Sequence, residues 1–286
     1  MSNSLAGICS FYAVSPVHAG SGASTSAVDL PIQRERHTHW PHIQASAVKG
    51  GMRAHYRMRR GTTDDLINII FGSDEQDGWN GSQEALKGAV SVSDAKLLAF
   101  PVRSDIAPFV WVTSPTVLKR FITDLHYVQQ ISSVEDVPEV SDHDALVLSG
   151  KVKGQVILED VVVTVSGESE LEVLTRHYPF LERLLCVSDQ VFSYLVDTST
   201  EIQTHIKIDS ETGTAASGAL RYEELLPADS LLYSVVLFGN SAYSTDEKAK
   251  AETIKNELTQ QLQEYMQLGG DETLGKGICR ITWIGG

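Results

Sequence analysis

The chain of 286 residues predicts an α+β protein built around an antiparallel sheet, and three observations carry that expectation. Apolar runs of strand length open the chain, recur in its second half and close it. A basic helical pattern follows the first of these runs. A second helical pattern precedes the last. No regular repeat or low-complexity tract divides the chain, which reads as one elaborated domain spanning residues 1–286.

The first strand is Leu5–Val14, broken by Pro16 and a glycine-bearing turn. Ser15 to Gln44 follows as a long connection with little apolar periodicity, a length that in a compact domain marks function or disorder. Ser46–Arg60 reads as a helix with Ser46 as N-cap. Val48, Met52 and Tyr56 recur every four residues, and Lys49, Arg53, Arg57 and Arg60 form a basic stripe beside them. Gly50 and Gly51 inside that helix imply a close approach to its backbone. Residues 61–93 are polar and uneven, as a surface insertion would be.

Ala95–Val102 and Phe109–Thr113 read as strands, and Ser114/Pro115 opens a helix to Leu125. Lys153–Val165 is strand-like. Leu184–Val187 is a short apolar run, with a helix opening at Ser188/Asp189. Ile202–Leu220 alternates apolar and polar residues, turns at Ser-Glu-Thr-Gly and returns, a hairpin too polar to be buried on both faces. Leu231–Phe238 reads as a buried strand. Ser244 and Glu247 have capping-box spacing, opening a helix whose Ile254, Leu258, Leu262 and Tyr265 share a face and which Gly269 and Gly270 end. Ile278–Ile284 is the last strand.

Composition excludes several classes. No run approaches the roughly 20 apolar residues of a membrane helix. The N-terminal segment has neither the basic region nor the apolar run of a secretory signal. Cys9, Cys186 and Cys279 lie far apart, which argues against a disulfide framework or a cysteine zinc site and points to the cytoplasm. His37-Thr-His39-Trp-Pro-His42 lacks a carboxylate or cysteine at ligand spacing, so a zinc site is not expected there. Gly20-Ser-Gly22 has no third glycine at the dinucleotide-binding offset. The net charge of −14 opposes nucleic-acid binding, but its distribution does not: Arg34 to Arg60 holds seven basic residues against Glu35, a window of +6 that leaves −20 elsewhere. Local potential, not the total, governs what a groove attracts.

Four strings then combine in order. Ser15-Pro-Val-His18-Ala-Gly20-Ser-Gly22 is followed by Val28-Asp29-Leu-Pro-Ile-Gln33-Arg34-Glu35. Ala45-Ser46-Ala-Val-Lys49-Gly50-Gly-Met-Arg53 comes next, and Leu268-Gly-Gly-Asp271-Glu-Thr-Leu-Gly275-Lys276-Gly277 closes the chain. Together they resemble the RAMP superfamily of CRISPR proteins, and Asp-Leu-Pro-Ile-Gln-Arg-Glu resembles the backbone subunit of the type III-B (Cmr) effector complex. Where that family has Gly-Ser-Ser-Leu-Lys-Gly, this chain has Ala45-Ser46-Ala-Val-Lys49-Gly50, one hydroxyl fewer.

The resemblance implies a ferredoxin-like, RNA-recognition-type core and a thumb hairpin, matched here to about 202–220. It implies a subunit that binds guide CRISPR RNA along its length and cleaves paired target RNA. Its partners are then that guide, the target, further copies of itself and other Cmr subunits. Asp29 matches the catalytic acid, and His18, Gln33, Arg34, Ser46, Lys49, Arg53 and Lys276 fall at RNA-contacting positions. A divalent metal ion, Mg or Mn, is the implied cofactor, its ligands not given by the sequence. A non-catalytic guide-binding scaffold is the alternative, and an acid at Asp29 is what separates the two.

Overall fold

A computed structural model describes residues 5–61, 66–73, 86–129, 137–169, 171–241 and 247–285. The β-branched and aromatic run at the start forms β1 (Leu5–Ala13), whose central residues are buried. After the long connection come β2 (His42–Ile43), α1 (Ala45–Arg60), α2 (Leu66–Phe71), β3 (Gly72–Ser73), β4 (Leu86–Lys87), β5 (Val90–Val92) and β6 (Ala95–Val102). Then follow β7 (Val110–Thr113), α3 (Pro115–Gln129), β8 (Asp144–Ser149), β9 (Gln155–Leu158), β10 (Val161–Glu168), α4 (Glu172–His177), β11 (Leu184–Val187) and α5 (Asp189–Thr198). The chain ends with β12 (Glu201–His205), β13 (Arg221–Leu225), β14 (Leu231–Phe238), α6 (Ala251–Gln261), β15 (Tyr265–Gln267) and β16 (Ile278–Ile284).

Four strands and two helices make the expected core. β1, α1, β6, β14, α6 and β16 follow one another as β-α-β-β-α-β, and the strands lie in the order β16-β1-β14-β6, all antiparallel. That is the ferredoxin-like arrangement. The sheet does not stop there. The segment between β6 and β14 is inserted, and its strands β7, β11, β8, β10 and β9 continue the sheet. Two of these added pairs, β7 with β11 and β8 with β10, are parallel. The sheet is therefore mostly, not wholly, antiparallel.

Local details correct several sequence readings. Val161–Glu168 and Gln155–Leu158 are two strands of a hairpin, because Glu159 takes a left-handed backbone (φ 55°) and reverses the chain. Residues 66–71 are a helix whose Ile67, Ile70 and Phe71 are buried against α1, not a surface excursion; residues 62–65 and 74–85 of that segment lie outside the described residues. Ser244 of the expected capping box also lies outside them. The first N–H of α6, on Ala251, donates instead to Asn240 Oδ1 (2.8 Å). Ile254, Leu258 and Leu262 are buried as expected, but α6 ends before Glu264, which is left-handed (φ 66°). Tyr265 is thus the exposed start of β15, and Gly269 and Gly270 terminate that strand rather than the helix.

The hairpin of β12 and β13 stands as a two-stranded sheet of its own. Its paired residues run from Glu201–Leu225 to His205–Arg221, so the ladder extends past the expected range toward the core. Beyond it, Asp209 caps the turn by accepting the N–H groups of Glu211 and Thr212 on Oδ1 (2.9 Å each). Ile202, Ile206, Ile208 and Leu220 are exposed along this projection.

Candidate functional site

The connection between β1 and α1 is tied down at both ends, which positions most of the residues singled out by sequence. Val17 exchanges both backbone hydrogen bonds with Leu226. Residues 29–32 run beside β13: Leu30 donates to the carbonyl of Tyr222 (3.0 Å), and Glu224 donates back to Leu30 (2.9 Å). The C-terminal glycine loop closes over the same place. Gly270 donates to His18 O and Gly277 to Pro16 O (2.8 Å each). A side chain at Gly269 would stand 2.4 Å from His18 O, and one at Gly277 would stand 1.9 Å from Leu268 O. Both glycines also hold positive φ, so the loop needs glycine for space and conformation alike.

Two grooves flank this ribbon. The first, about 530 Å³, is walled by His18 to Gly20, Gln33, the small residues Ala47, Gly50, Gly51 and Ala54 of α1, and Gly269 and Gly270. Gly51 is where the expected close approach occurs, its Cα facing Leu268 and the Gln267 carbonyl, whereas Gly50 opens onto the groove. Ser46 is not the cap of α1. It is exposed within the first turn, while Gln33 Oε1 accepts the Gln44 N–H and Asp94 Oδ1 the Ala45 N–H (2.7 Å each). A carboxylate already answers this helix terminus, so attraction for phosphate falls to the side chains beside it. Lys49 and Arg53 are half-buried elsewhere on α1, outside the lining of this groove, and Arg53 Nη2 donates to Asn68 Oδ1 (3.4 Å). Burial, then the neighbouring Arg53 charge, pushes the Lys49 ammonium below its ordinary value. Lys276, between two left-handed glycines, lies half-buried on the loop beyond Gly270.

The second groove, about 650 Å³, lies on the other side of the ribbon. Ser26, Val28, Pro31, His39, Asp197 and Ile202 at the hairpin root are among its lining residues. Arg34 and Glu224 lie at its floor. Arg34 Nη2 donates to Glu224 Oε1 (2.6 Å), and Thr200 donates to the same oxygen (2.9 Å). Glu224 Oε2 accepts the Ile32 N–H (3.0 Å). The guanidinium is only 11% exposed and its hydrogen bonds go to protein, including the His39 and Val196 carbonyls. Arg34 thus holds the ribbon to the hairpin. Gln33 is likewise engaged, its Nε2 donating to Gly20 O (2.9 Å) while its Oε1 holds Gln44.

Asp29 sits where ribbon and hairpin meet. Its Oδ2 accepts the Tyr222 N–H (2.7 Å), fixing the carboxylate on the root of β13, and Oδ1 has no partner among the described residues. His18 is drawn inward. Its Nδ1 lies 2.9 Å from the Glu224 carbonyl oxygen and its Nε2 3.4 Å from Glu223 Oε1. Glu223 also meets His205 Nε2 at 2.9 Å. Burial, then the Asp271 carboxyl beside it, pushes Glu223 upward, against the pull of His18 and His205. Sequence reading missed Glu223, Glu224, His205, Asp197 and the orientation of His39. One signal was present: two consecutive acids in Tyr-Glu-Glu-Leu-Leu cannot both face water on a strand, and a buried carboxylate needs partners.

The remaining histidines of the 37–42 string diverge. His37 meets Arg120 (3.0 Å) and His39 meets Asp197 (3.0 Å). Among the described residues no group of three or more His, Cys, Asp or Glu side chains is arranged to hold a metal ion, so the donors do not fit a resident divalent ion. No helix among them is long and apolar enough to cross a membrane.

Known proteins resemble this chain in sequence and in fold. The chain matches the RAMP superfamily over residues 10–280. It is 36% identical over 283 residues to the CRISPR system Cmr endoribonuclease Cmr4 of Pyrococcus furiosus, covering 95% of this chain and 93% of that protein. It is 26% identical to the CRISPR system CMR subunit Cmr4 of Saccharolobus solfataricus, covering 95% and 94%. The crystal structure of oligomeric Cmr4 from Pyrococcus furiosus superposes with a TM-score of 0.72 at 29% identity, over 98% of each chain. A chain of a type III-B Cmr-beta complex bound to cognate target RNA superposes at 0.77 over 98% of this chain and 97% of that one; at 23% identity the likeness is one of fold. The chain belongs to the RAMP superfamily and, within it, to the Cmr4 family.

Proposed function

We propose that this chain is the repeated backbone subunit of a type III-B CRISPR effector complex, holding guide RNA and cutting the target RNA paired with it. The observation that carries the reading is the Asp29 carboxylate, fixed by one oxygen to the root of a projecting hairpin, in a segment whose Val28 and Pro31 line a groove. Its close likeness to a Cmr endoribonuclease supplies the chemistry. Copies stack along the guide with other Cmr subunits, in the cytoplasm, and the β12–β13 hairpin acts as the thumb.

RNA cleavage by its own 2′-OH needs that oxygen in line with the scissile P–O bond, which a regular A-form duplex forbids. A hairpin inserted into the duplex splays a nucleotide and releases that constraint. Asp29 Oδ1 then orients the attacking hydroxyl. A divalent ion belongs to this proposal only as one carried in by RNA phosphates. The test is to purify the assembled complex, sequence its bound RNA, and offer complementary RNA with and without Mg or Mn. Regularly spaced cuts are expected; a complex that holds guide and never cuts establishes the scaffold alternative.

Two further outcomes check the parts. Lys49 and Arg53 grip the guide backbone from α1, so changing both to Ala lowers RNA retention alike for all sequences and flattens its salt dependence by about two counterions. Retention unchanged across a salt titration would return α1 to an ordinary solvated face. Shortening 206–220 to a tight turn leaves the β12–β13 ladder and the folded monomer intact but disturbs the cut spacing, read by sequencing the products. Loss of folding in the monomer would show that the projection belongs to the core.

A further inference from the structure

The projecting hairpin has two unlike faces. Side chains alternate across a strand, and the register pairs Ile202 with Glu224, Thr204 with Tyr222 and His205 with Arg221. Glu201, Gln203, His205, Arg221 and Glu223 therefore share one face with the buried Leu225, and Glu223 there meets His18 and His205. Ile202, Thr204 and Tyr222 share the other face with Glu224. Ile202 is 49% exposed and Tyr222 38%, and Ile206 and Leu220, farther out along the projection, are exposed as well. At its root this apolar face runs into the second groove, which Ile202 and Glu224 both line. The Tyr222 ring and hydroxyl make no hydrogen bond or ring contact among the described residues.

The backbone of Tyr222 is also what holds the ribbon. Its N–H donates to Asp29 Oδ2 (2.7 Å), and its carbonyl accepts the Leu30 N–H (3.0 Å). An exposed aromatic ring is thus carried by the residue that fixes the carboxylate proposed to orient the 2′-OH. Tyr127, Tyr194 and Tyr265, the other exposed tyrosines among the described residues, stand on α3, α5 and β15. In-line attack takes a nucleotide out of the A-form stack, and its base loses its neighbours. An aromatic side chain restores that contact, and does so for any base, since each has a π-face. We infer that Tyr222 is the platform on which the target base beside the scissile bond stacks, a positioning residue that holds the splayed nucleotide while Asp29 orients its 2′-OH. Such a site accepts every target sequence, as a guide-directed cutter requires. The inference rests on the proposed RNA-cleaving function and adds to it the group that receives the base.

Removing the ring and removing the base test this together. Tyr222→Leu keeps the N–H that holds Asp29 and an apolar side chain on the same face, but it has no ring to stack on. In the assembled complex it is expected to slow single-turnover cleavage of ordinary target RNA by about 10-fold or more. Tyr222→Phe, which keeps the ring, should cut at the unaltered rate. Targets lacking one base, at either nucleotide flanking a scissile bond, complete the cycle. At one of the two positions the missing base should slow the unaltered complex about as much as Tyr222→Leu does, and the two changes together should cost no more than about two-fold beyond either alone. Losses that multiply at both positions mean that the ring and the base act separately, and overturn the inference. So does full-rate cutting of ordinary target by Tyr222→Leu, or a Tyr222→Phe complex as slow as the Leu one. A Tyr222→Leu chain that folds but does not assemble gives this face to a neighbouring copy and overturns it as well. No cutting of ordinary target by the unaltered complex overturns the proposed function, and this inference with it.

Discussion

Asp29→Asn is expected to yield a complex that assembles, keeps its guide and binds target at near-unaltered affinity, yet loses cleavage by about 10²–10⁴-fold. The reason is geometric. An Asn side-chain oxygen accepts the Tyr222 N–H as Oδ2 does now, so the ribbon stays on the hairpin root. The negative charge that orients the 2′-OH is gone. Its contribution is orientation and charge. Measuring single-turnover cleavage beside filter binding separates the two effects. Full-rate cutting by the Asn complex would remove Asp29 from the chemistry; a complex that fails to assemble would make it a structural clamp.

Arg34→Ala is expected to act on stability first. It strips the guanidinium from Glu224, leaving a carboxylate only 9% exposed with hydrogen bonds from Thr200 and Ile32 but no cation. Removing one partner of a buried pair costs about 3–5 kcal/mol, because the remaining charge is stranded. Urea unfolding should show that loss, and Arg34→Ala with Glu224→Gln should recover much of it, since no buried charge is then left unpaired. A single variant as stable as the unaltered protein, but failing to hold RNA, would return Arg34 to the role of an RNA contact.

That outcome bears on what was readable beforehand. Basic residues between Arg34 and Arg60 are legible as a cluster, but the sequence does not say which of them face solvent. Arg34 turns inward to Glu224, 190 positions away, and Arg60 meets Glu257 at 3.0 Å. Arg53 meets Asn68 at 3.4 Å, and Arg57 is exposed. Partner choice across such separations is a tertiary event, and no local pattern encodes it.

Periodicity and turn chemistry alone determined much of the fold. The apolar runs of β1, β6, β14 and β16, the four-residue spacing in α1 and the Ser188 cap of α5 are short-range effects. The cap is seen directly, Ser188 Oγ accepting the Val191 N–H at 3.1 Å. Family strings added the order of the pieces and the expectation of a catalytic role for Asp29. Tertiary structure decided the rest: that strands between β6 and β14 extend the same sheet, that Asp94 caps α1 from 49 positions away, and that His39 pairs with Asp197. Hydrogen-bond register and groove walls are set by segments distant in sequence. Strand-forming residues carry no mark of which strand they join, so pairing is fixed only when the whole core packs.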